Sequence, residues 1–257
     1  MAGKVALVTG STTGIGEATA RCLAEAGAAV MISGRNAPRG EVIAAELRAQ
    51  GARAAFTRVD LRTAGACETL IDAAIGALGA LDILVNNAGV LYTANALDTS
   101  NEQWLETLNV NVSAVFYLSR AAIAHMRTRG GGVIINVASE WGLNGEPNHL
   151  AYCTSKGALV QMTRCLALDH ARDQIRVNSV CPGEIHTQMV DDILASQGGD
   201  PKVQLQKLAA GIPMRRLASP MEVARVIRFL ASAEASYVTG ANLPVDGGND
   251  ATGGPYP

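Results

Sequence analysis

Short, nearly continuous apolar runs alternate with longer segments of mixed character along the whole chain. The runs within KVALVT (4–9), AAVMIS (28–33), ARAAFTRVD (52–60), LDILVNNAG (81–89), GGVIINVAS (131–139), IRVNSVCPG (175–183) and ANLPVDGG (241–248) predict seven strands. The early runs do not alternate apolar with polar, which marks strands covered on both faces, as in a parallel sheet. Between the runs the apolar spacing becomes helical. Helices are predicted over 14–27, closed by Gly27, and over 38–51, with Pro38 near the first turn. Others are predicted over 64–79, from Asn101 to about Arg129, from Leu150 to about Arg172, and over 219–232. Strand–helix alternation over the full length predicts one α/β domain with a doubly wound sheet. The stretch from Gly183 to Ser219 breaks the rhythm with only weak helical pattern. It follows a strand's carboxyl end, where a substrate lid would sit. The tail over 249–257 has no core-forming pattern and is expected to be loose or docked on a neighbouring subunit.

Composition narrows the class. The 257 residues are 48% apolar and 17% charged, a well-packed globular balance. Net charge is −2, from 21 basic and 23 acidic residues, which gives no electrostatic footprint for nucleic acid or anionic lipid. No apolar stretch approaches the roughly 20 residues of a membrane span, so no membrane partner is expected. Cys22, Cys67, Cys153, Cys165 and Cys181 are odd in number and form no CxxC, which points to a reduced, cytoplasmic setting. The histidines, His125, His149, His170 and His186, lack metal-ligand spacing, and no metal is expected.

The candidate chemistry starts after the first strand. TGSTTGIG, Thr9 to Gly16, joins a strand to a helix. Gly10 permits a tight turn, Gly14 lets backbone approach a ligand, and Gly16 lets the helix sit close on the sheet. Ser11, Thr12, Thr13 and Ile15 complete the loop. The helix start offers free N–H groups and partial positive charge to a pyrophosphate. A dinucleotide is therefore expected, although the G-x-x-x-G-x-G spacing is one residue longer than the usual fingerprint. At the end of the second strand, MISGRN carries Gly34 and Arg35 and no acid. An acid there would pair with the ribose 2′-hydroxyl of NAD; an arginine suits a 2′-phosphate. NADP is thus favoured, with NAD as the alternative in which Arg35 is a solvated loop charge. Asp60, followed by Leu61, is placed either to meet the adenine amino group or to cap the next helix.

Tyr152 and Lys156 lie four residues apart on one face of a predicted helix. An ammonium favours phenolate, but bringing a phenol from about 10 toward neutral pH takes roughly 4 kcal/mol. A solvated pair supplies under about 1 kcal/mol. A partly desolvated site beside an oxidised nicotinamide would supply the rest. Ser139 ends the fifth strand, at the carboxyl edge where such sheets bind ligands, and can donate to a substrate oxygen. Asn111 lies inside a long predicted helix; it is either a water-holding relay residue or a tolerated polar residue.

These residues resemble the short-chain dehydrogenase/reductase family in its standard form, over Lys4 to Gly248. The likeness rests on TGSTTGIG, NNAG (Asn86 to Gly89), Asn111, Ser139, YCTSK and PGEIHT (Pro182 to Thr187). It implies a single Rossmann-type domain with a parallel seven-stranded sheet of order 3-2-1-4-5-6-7. It implies Tyr152 as general acid/base, Lys156 lowering its pKa and holding the ribose, Ser139 orienting substrate, and Asn111 completing a proton relay. Asn87, Ala88 and Gly89 would border the adenosine half. Pro182, Gly183, Ile185 and Thr187 would border the nicotinamide. Thr13 stands where some NADP-using relatives carry a base, so the coenzyme expectation rests on Arg35.

The expected activity is interconversion of a secondary alcohol and a ketone by hydride transfer. Substrate-lining candidates are Ser139, Trp141, Asn144, His149, Glu184 and Met189, with Glu140, His186, Leu91 and Tyr92 nearby. That set is polar, so a small or medium polyfunctional alcohol or ketone is expected. Relatives assemble through two long helices, and a homotetramer is expected. The rival readings are a redox-silent NADP(H)-binding regulatory protein and a non-redox epimerase or lyase.

Overall fold

The computed structural model describes residues 1–252, apart from the side chains of Met189, Ile193, Ser196 and Gln197. Strands β1 (Val5–Val8) and β2 (Ala29–Gly34) are buried at every position. Alternate residues explain why. Val8 and Ile32 face a core shared with Ile43, Leu47, Ile227 and Leu230. Leu7 and Met31 face a second core with Leu70, Ile71, Leu118 and Met126. Both faces are covered by helices, so both registers of the strand must be apolar. With β3 (Ala54–Arg58), β4 (Ile83–Asn86), β5 (Gly132–Val137), β6 (Ile175–Pro182) and β7 (Asn242–Val245), the strands form one parallel sheet of order β3-β2-β1-β4-β5-β6-β7. The edge strands are only partly buried, and β7 carries Pro244, as edge strands tolerate.

The helix ends follow local chemistry. Helix α1 (Gly14–Glu25) stops at Gly27, with φ of +90°. Helix α2 (Ala37–Ala49) is capped by Asn36, with Pro38 in its first turn. Helix α3 (Ala64–Leu78) is capped by Thr63, not by Asp60, and ends at left-handed Gly79. The helix expected from Asn101 to Arg129 is divided. After α4 (Asn101–Leu108), opened by a Ser100/Gln103 capping box, Asn109–Ser113 is π-helical before α5 (Ala114–Thr128) resumes. Helix α6 (Leu150–His170) runs on into a short 3₁₀ turn, Ala171–Asp173.

The weakly patterned insertion is folded into α7 (Gln188–Gln197) and α8 (Pro201–Gly211), ahead of α9 (Pro220–Ala231). Its two ends are pinned together: Ala218 N–H donates to Glu184 O at 3.0 Å, and His186 N–H to Ala218 O at 2.9 Å. The start of the tail packs on its own chain. Asn144 Nδ2 donates to Asp250 Oδ1 at 2.8 Å, and Asp250 N–H donates to Asp246 Oδ2 at 2.7 Å. No helix among the described residues is long and apolar enough to cross a membrane.

Candidate active site

A cavity of about 490 Å³ opens at the carboxyl ends of the strands, reaching from Arg35 and Asp60 to Tyr152 and Glu184. One end is built by the glycine loop. Gly10 has φ of +60°, and a Cβ there would lie 2.8 Å from Ala88 Cα. A Cβ on Gly16 would run into Asn87 Nδ2 and Gly10 O. The loop is locked from behind: Thr9 Oγ1 accepts from Asn87 N–H (2.9 Å) and Ala88 N–H (3.0 Å), and Asn87 Nδ2 donates to Thr9 O and Gly10 O. Gly10, Thr12, Thr13, Gly14 and Ile15 line the cavity, whereas Gly16 and Ser11 do not. Ser11 is fully buried, donating to Val8 O at 2.7 Å and accepting from Ser33 N–H at 3.0 Å. Its part is to tie the loop to β1 and β2. Thr13, the N-cap of α1, makes no side-chain cap bond. The first N–H groups of α1 therefore stay free of side-chain capping beside bare glycine backbone, which fits a pyrophosphate.

Arg35 is exposed at the same end and has no ion-pair partner among the described residues. A Cβ on Gly34 would lie 2.9 Å from Thr12 Cγ2, so a longer acidic side chain there would have to displace Thr12. Asp60 and Leu61 line the cavity, with Asp60 ion-paired to Arg62 at 2.6 Å. That guanidinium holds the Asp60 carboxyl below its ordinary range. Asn87, Ala88 and Gly89 form the floor.

At the far end Ser139, Tyr152 and Lys156 meet on the cavity wall. Ser139 caps the turn after β5 by accepting from Trp141 N–H at 3.2 Å, and it hydrogen-bonds the Tyr152 phenol. Lys156 is buried, 5.4 Å from the phenol ring centroid, and donates to Val137 O at 2.7 Å. Burial lowers its ammonium to about 8. Burial pushes the phenol up; the Ser139 bond pulls it down, and the charges of Cys153, Glu184 and Glu140 push it further up. The lowering that the resemblance implies needs a further positive charge.

Asn111 is fully buried within the π-helical segment. Its side chain accepts from Val90 N–H (2.8 Å) and donates to Val90 O (2.9 Å) and Ser155 Oγ (3.0 Å). The amide is thus committed to holding the loop after β4 against α6. A Cβ on Gly89 would lie 3.3 Å from Asn111 Oδ1 and 3.7 Å from Lys156 Nζ, so the two side chains converge there. Single π-turns inside helices recur at functional sites.

The substrate candidates divide. Trp141 and Glu184 line the cavity, and the Trp141 ring stands edge-on to Tyr152 at 6.0 Å. Pro182, Gly183, Ile185 and Thr187 line it as well. Asn144 does not; it is spent on Asp250. His149 lies behind Trp141, 4.5 Å between centroids, with Nδ1 bonded to Pro147 O. His186 is exposed and pairs with Asp191 at 3.3 Å. Leu91 lines the cavity, and the Tyr92 hydroxyl donates to Glu106 Oε2 at 2.6 Å. The Met189 side chain lies outside the described residues. Sequence reasoning gave no role to Ser155 and Thr9, whose hydroxyls hold Asn111 and Asn87, although both lie inside YCTSK and TGSTTGIG, because a motif does not say which backbone or amide group a hydroxyl meets. It also missed Glu106 and Val110, cavity residues of the divided helix.

Comparison with known proteins agrees with this geometry. A family model described as Enoyl-(Acyl carrier protein) reductase matches residues 10–250. The chain is 38% identical over 252 residues to meso-2,3-butanediol dehydrogenase of Serratia marcescens, covering 98% of this chain and 96% of that one. A solved structure of a substituted actinorhodin polyketide ketoreductase with NADPH superposes with a TM-score of 0.93 at 33% identity, covering 97% and 99%. A short-chain type dehydrogenase/reductase from Mycobacterium marinum does so with 0.87 at 37% identity, covering 96% of each. The chain belongs to the short-chain dehydrogenase/reductase family of NAD(P)-dependent oxidoreductases.

Proposed function

We propose that the protein interconverts a small or medium polar secondary alcohol and its ketone, with Tyr152 as the general acid/base and NADP as the preferred coenzyme. The observation that carries this is one cavity with an uncapped helix start at one end and Ser139, Tyr152 and Lys156 at the other. When bound, the nicotinamide supplies or takes the hydride and, oxidised, adds a positive charge beside the phenol. The chain's own residues do the remaining work. Ser139 donates to the substrate oxygen and fixes its distance from Tyr152. In reduction the Tyr152 hydroxyl gives its proton to that oxygen; in oxidation the phenolate takes it. Lys156 holds positive charge near the ring and, with Asn111, borders the route by which the proton is replaced. Arg35, exposed on the cavity rim, would pair with a 2′-phosphate and so supports NADP. Ile185 and Thr187 would hold the carboxamide, and α7 and α8 would form the lid, their base pinned at Glu184 and Ala218.

The exposed apolar residues Leu105, Phe116, Leu150 and Leu168 on α4, α5 and α6 support assembly of copies through these helices, as a homotetramer. A cytoplasmic location follows from the unpaired cysteines. The test is a panel of secondary alcohols and ketones with NAD and with NADP, following absorbance of the reduced nicotinamide. Turnover with an NADP preference supports the reading. Cofactor binding without absorbance change toward any substrate would favour a redox-silent binder; substrate conversion without net absorbance change would favour an epimerase or lyase.

A further inference from the structure

Directly after Ser139 stands Glu140, an acid only 6% exposed, on the wall of the hydride-transfer cavity. Its Oε2 has no hydrogen-bond partner in the protein. Burying a carboxyl oxygen without a partner is costly, so such a group calls for an explanation. Its carboxyl is hydrogen-bonded by the Asn249 side chain, and the remaining charged neighbours acting on it are all acidic: Glu184, Asp246 and Glu146. Gly183 lies against the orphan oxygen; a Cβ there would sit 3.0 Å from Oε2 and 2.8 Å from Asp246 Cα. That contact places Glu140 behind the strand end whose next residue, Glu184, also lines the cavity. The Glu184 carboxyl carries no ion pair among the described residues, and burial and the Glu146 charge raise it. Both acids act on the Tyr152 phenol, so they border the reacting end and not the adenosine end.

We propose that Glu184, backed by Glu140, is a subsite for a second hydroxyl group on the substrate, beside the carbon that is oxidised or reduced. The natural substrates are then vicinal diols or α-hydroxyketones, not simple alcohols. This rests on the reading of the cavity as an alcohol dehydrogenase site.

The chemistry selects a hydroxyl. Burial raises both carboxyls, Glu140 to about 7, so near neutral pH the Glu140 carboxyl is divided between a protonated donor and an ionised acceptor. A hydroxyl donates and accepts at once, whereas an ammonium only donates. Sites built to hydrogen-bond a substrate hydroxyl discriminate strongly against the analogue that lacks it, because their polar groups are then left unpaired.

The experiment compares kcat/KM for cis-1,2-cyclohexanediol, cyclohexanol and 2-aminocyclohexanol, with the oxidised coenzyme, in wild type, Glu184→Leu and Glu140→Gln. The expected result is a preference for the diol over cyclohexanol of at least ~10-fold in wild type. That ratio falls below about threefold in Glu184→Leu, which can neither donate nor accept, and falls by a smaller factor in Glu140→Gln. Equal use of diol and simple alcohol by wild type overturns the proposal, even where a variant fails to fold. So does a ratio unmoved in Glu184→Leu, or a preference for the amino alcohol, which would mark a cation subsite. Turnover of none of the three, nor of any ketone in the wider panel, would instead remove the alcohol dehydrogenase reading on which the proposal stands.

Discussion

Replacing Glu140 by Gln removes a titration that the fold has displaced upward. The carboxyl is pushed from its ordinary 4.5 to about 7, first by burial and then by Glu184, Asp246 and Glu146, against the opposing Asn249 bond. The folded state therefore binds this proton more tightly than the unfolded chain does. The associated stability is fully present below about pH 4.5 and is lost as pH rises through 7. At about 1.4 kcal/mol per pH unit, the loss amounts to roughly 3 kcal/mol. Glutamine stays neutral throughout and keeps the oxygen that accepts from Asn249. Urea denaturation of cofactor-free wild type and Glu140→Gln, at matched protein concentration from pH 5 to 8.5, measures the effect; other titrations cancel in the difference. The variant should gain on wild type by about 2–3 kcal/mol across that range, with most of the change between about pH 5 and 7. Curves that stay parallel within about 0.5 kcal/mol would refute the reasoning, as would a gap that grows toward acid pH.

Arg35→Ala should weaken NADP binding by ~10-fold, the low end for a charge-assisted contact because the guanidinium is exposed. NAD binding should change by less than about twofold, and the NADP loss should shrink at high salt, all readable by titration of nicotinamide fluorescence. Equal losses for both coenzymes would return Arg35 to the status of a loop charge. Asn111→Leu strands Val90 N–H and C=O and removes the donor to the Ser155 hydroxyl, which keeps its bond to Tyr152 O. It should cost about 2–4 kcal/mol in denaturation and lower kcat along with it; a variant as stable as wild type would show the network to be dispensable.

How much of this was readable from the chain depends on the scale of the signal. The sheet was legible because burial on both faces leaves whole runs such as VALV apolar, and the order of strands came with the family resemblance. The reacting end was legible because Ser139 closes a strand and Tyr152 and Lys156 share a helix face. The π-helical segment was not: inserting one residue into a turn at Asn109–Ser113 scarcely changes the apolar spacing on either side. Helices α7 and α8 were missed because α8 buries no residue and so shows no apolar stripe. Asn144 and His149 looked like substrate ligands because sequence proximity to Ser139 does not say where a side chain points. One turned to the C-terminal segment, the other to the back of Trp141. Glu140 was the reverse case, an acid that sequence alone leaves evenly divided between lining the substrate site and lying at the surface or an interface, and that the fold buries on the cavity wall.

The account turns on a single hydroxyl proton at Tyr152, and the most direct measurement is the Tyr152→Phe variant assayed for both coenzyme affinity and turnover on the same preparation. Loss of the acid/base group should lower kcat by ~10²–10⁴-fold while the coenzyme dissociation constant stays within about threefold. Turnover within tenfold of wild type, with the coenzyme still bound, would contradict it.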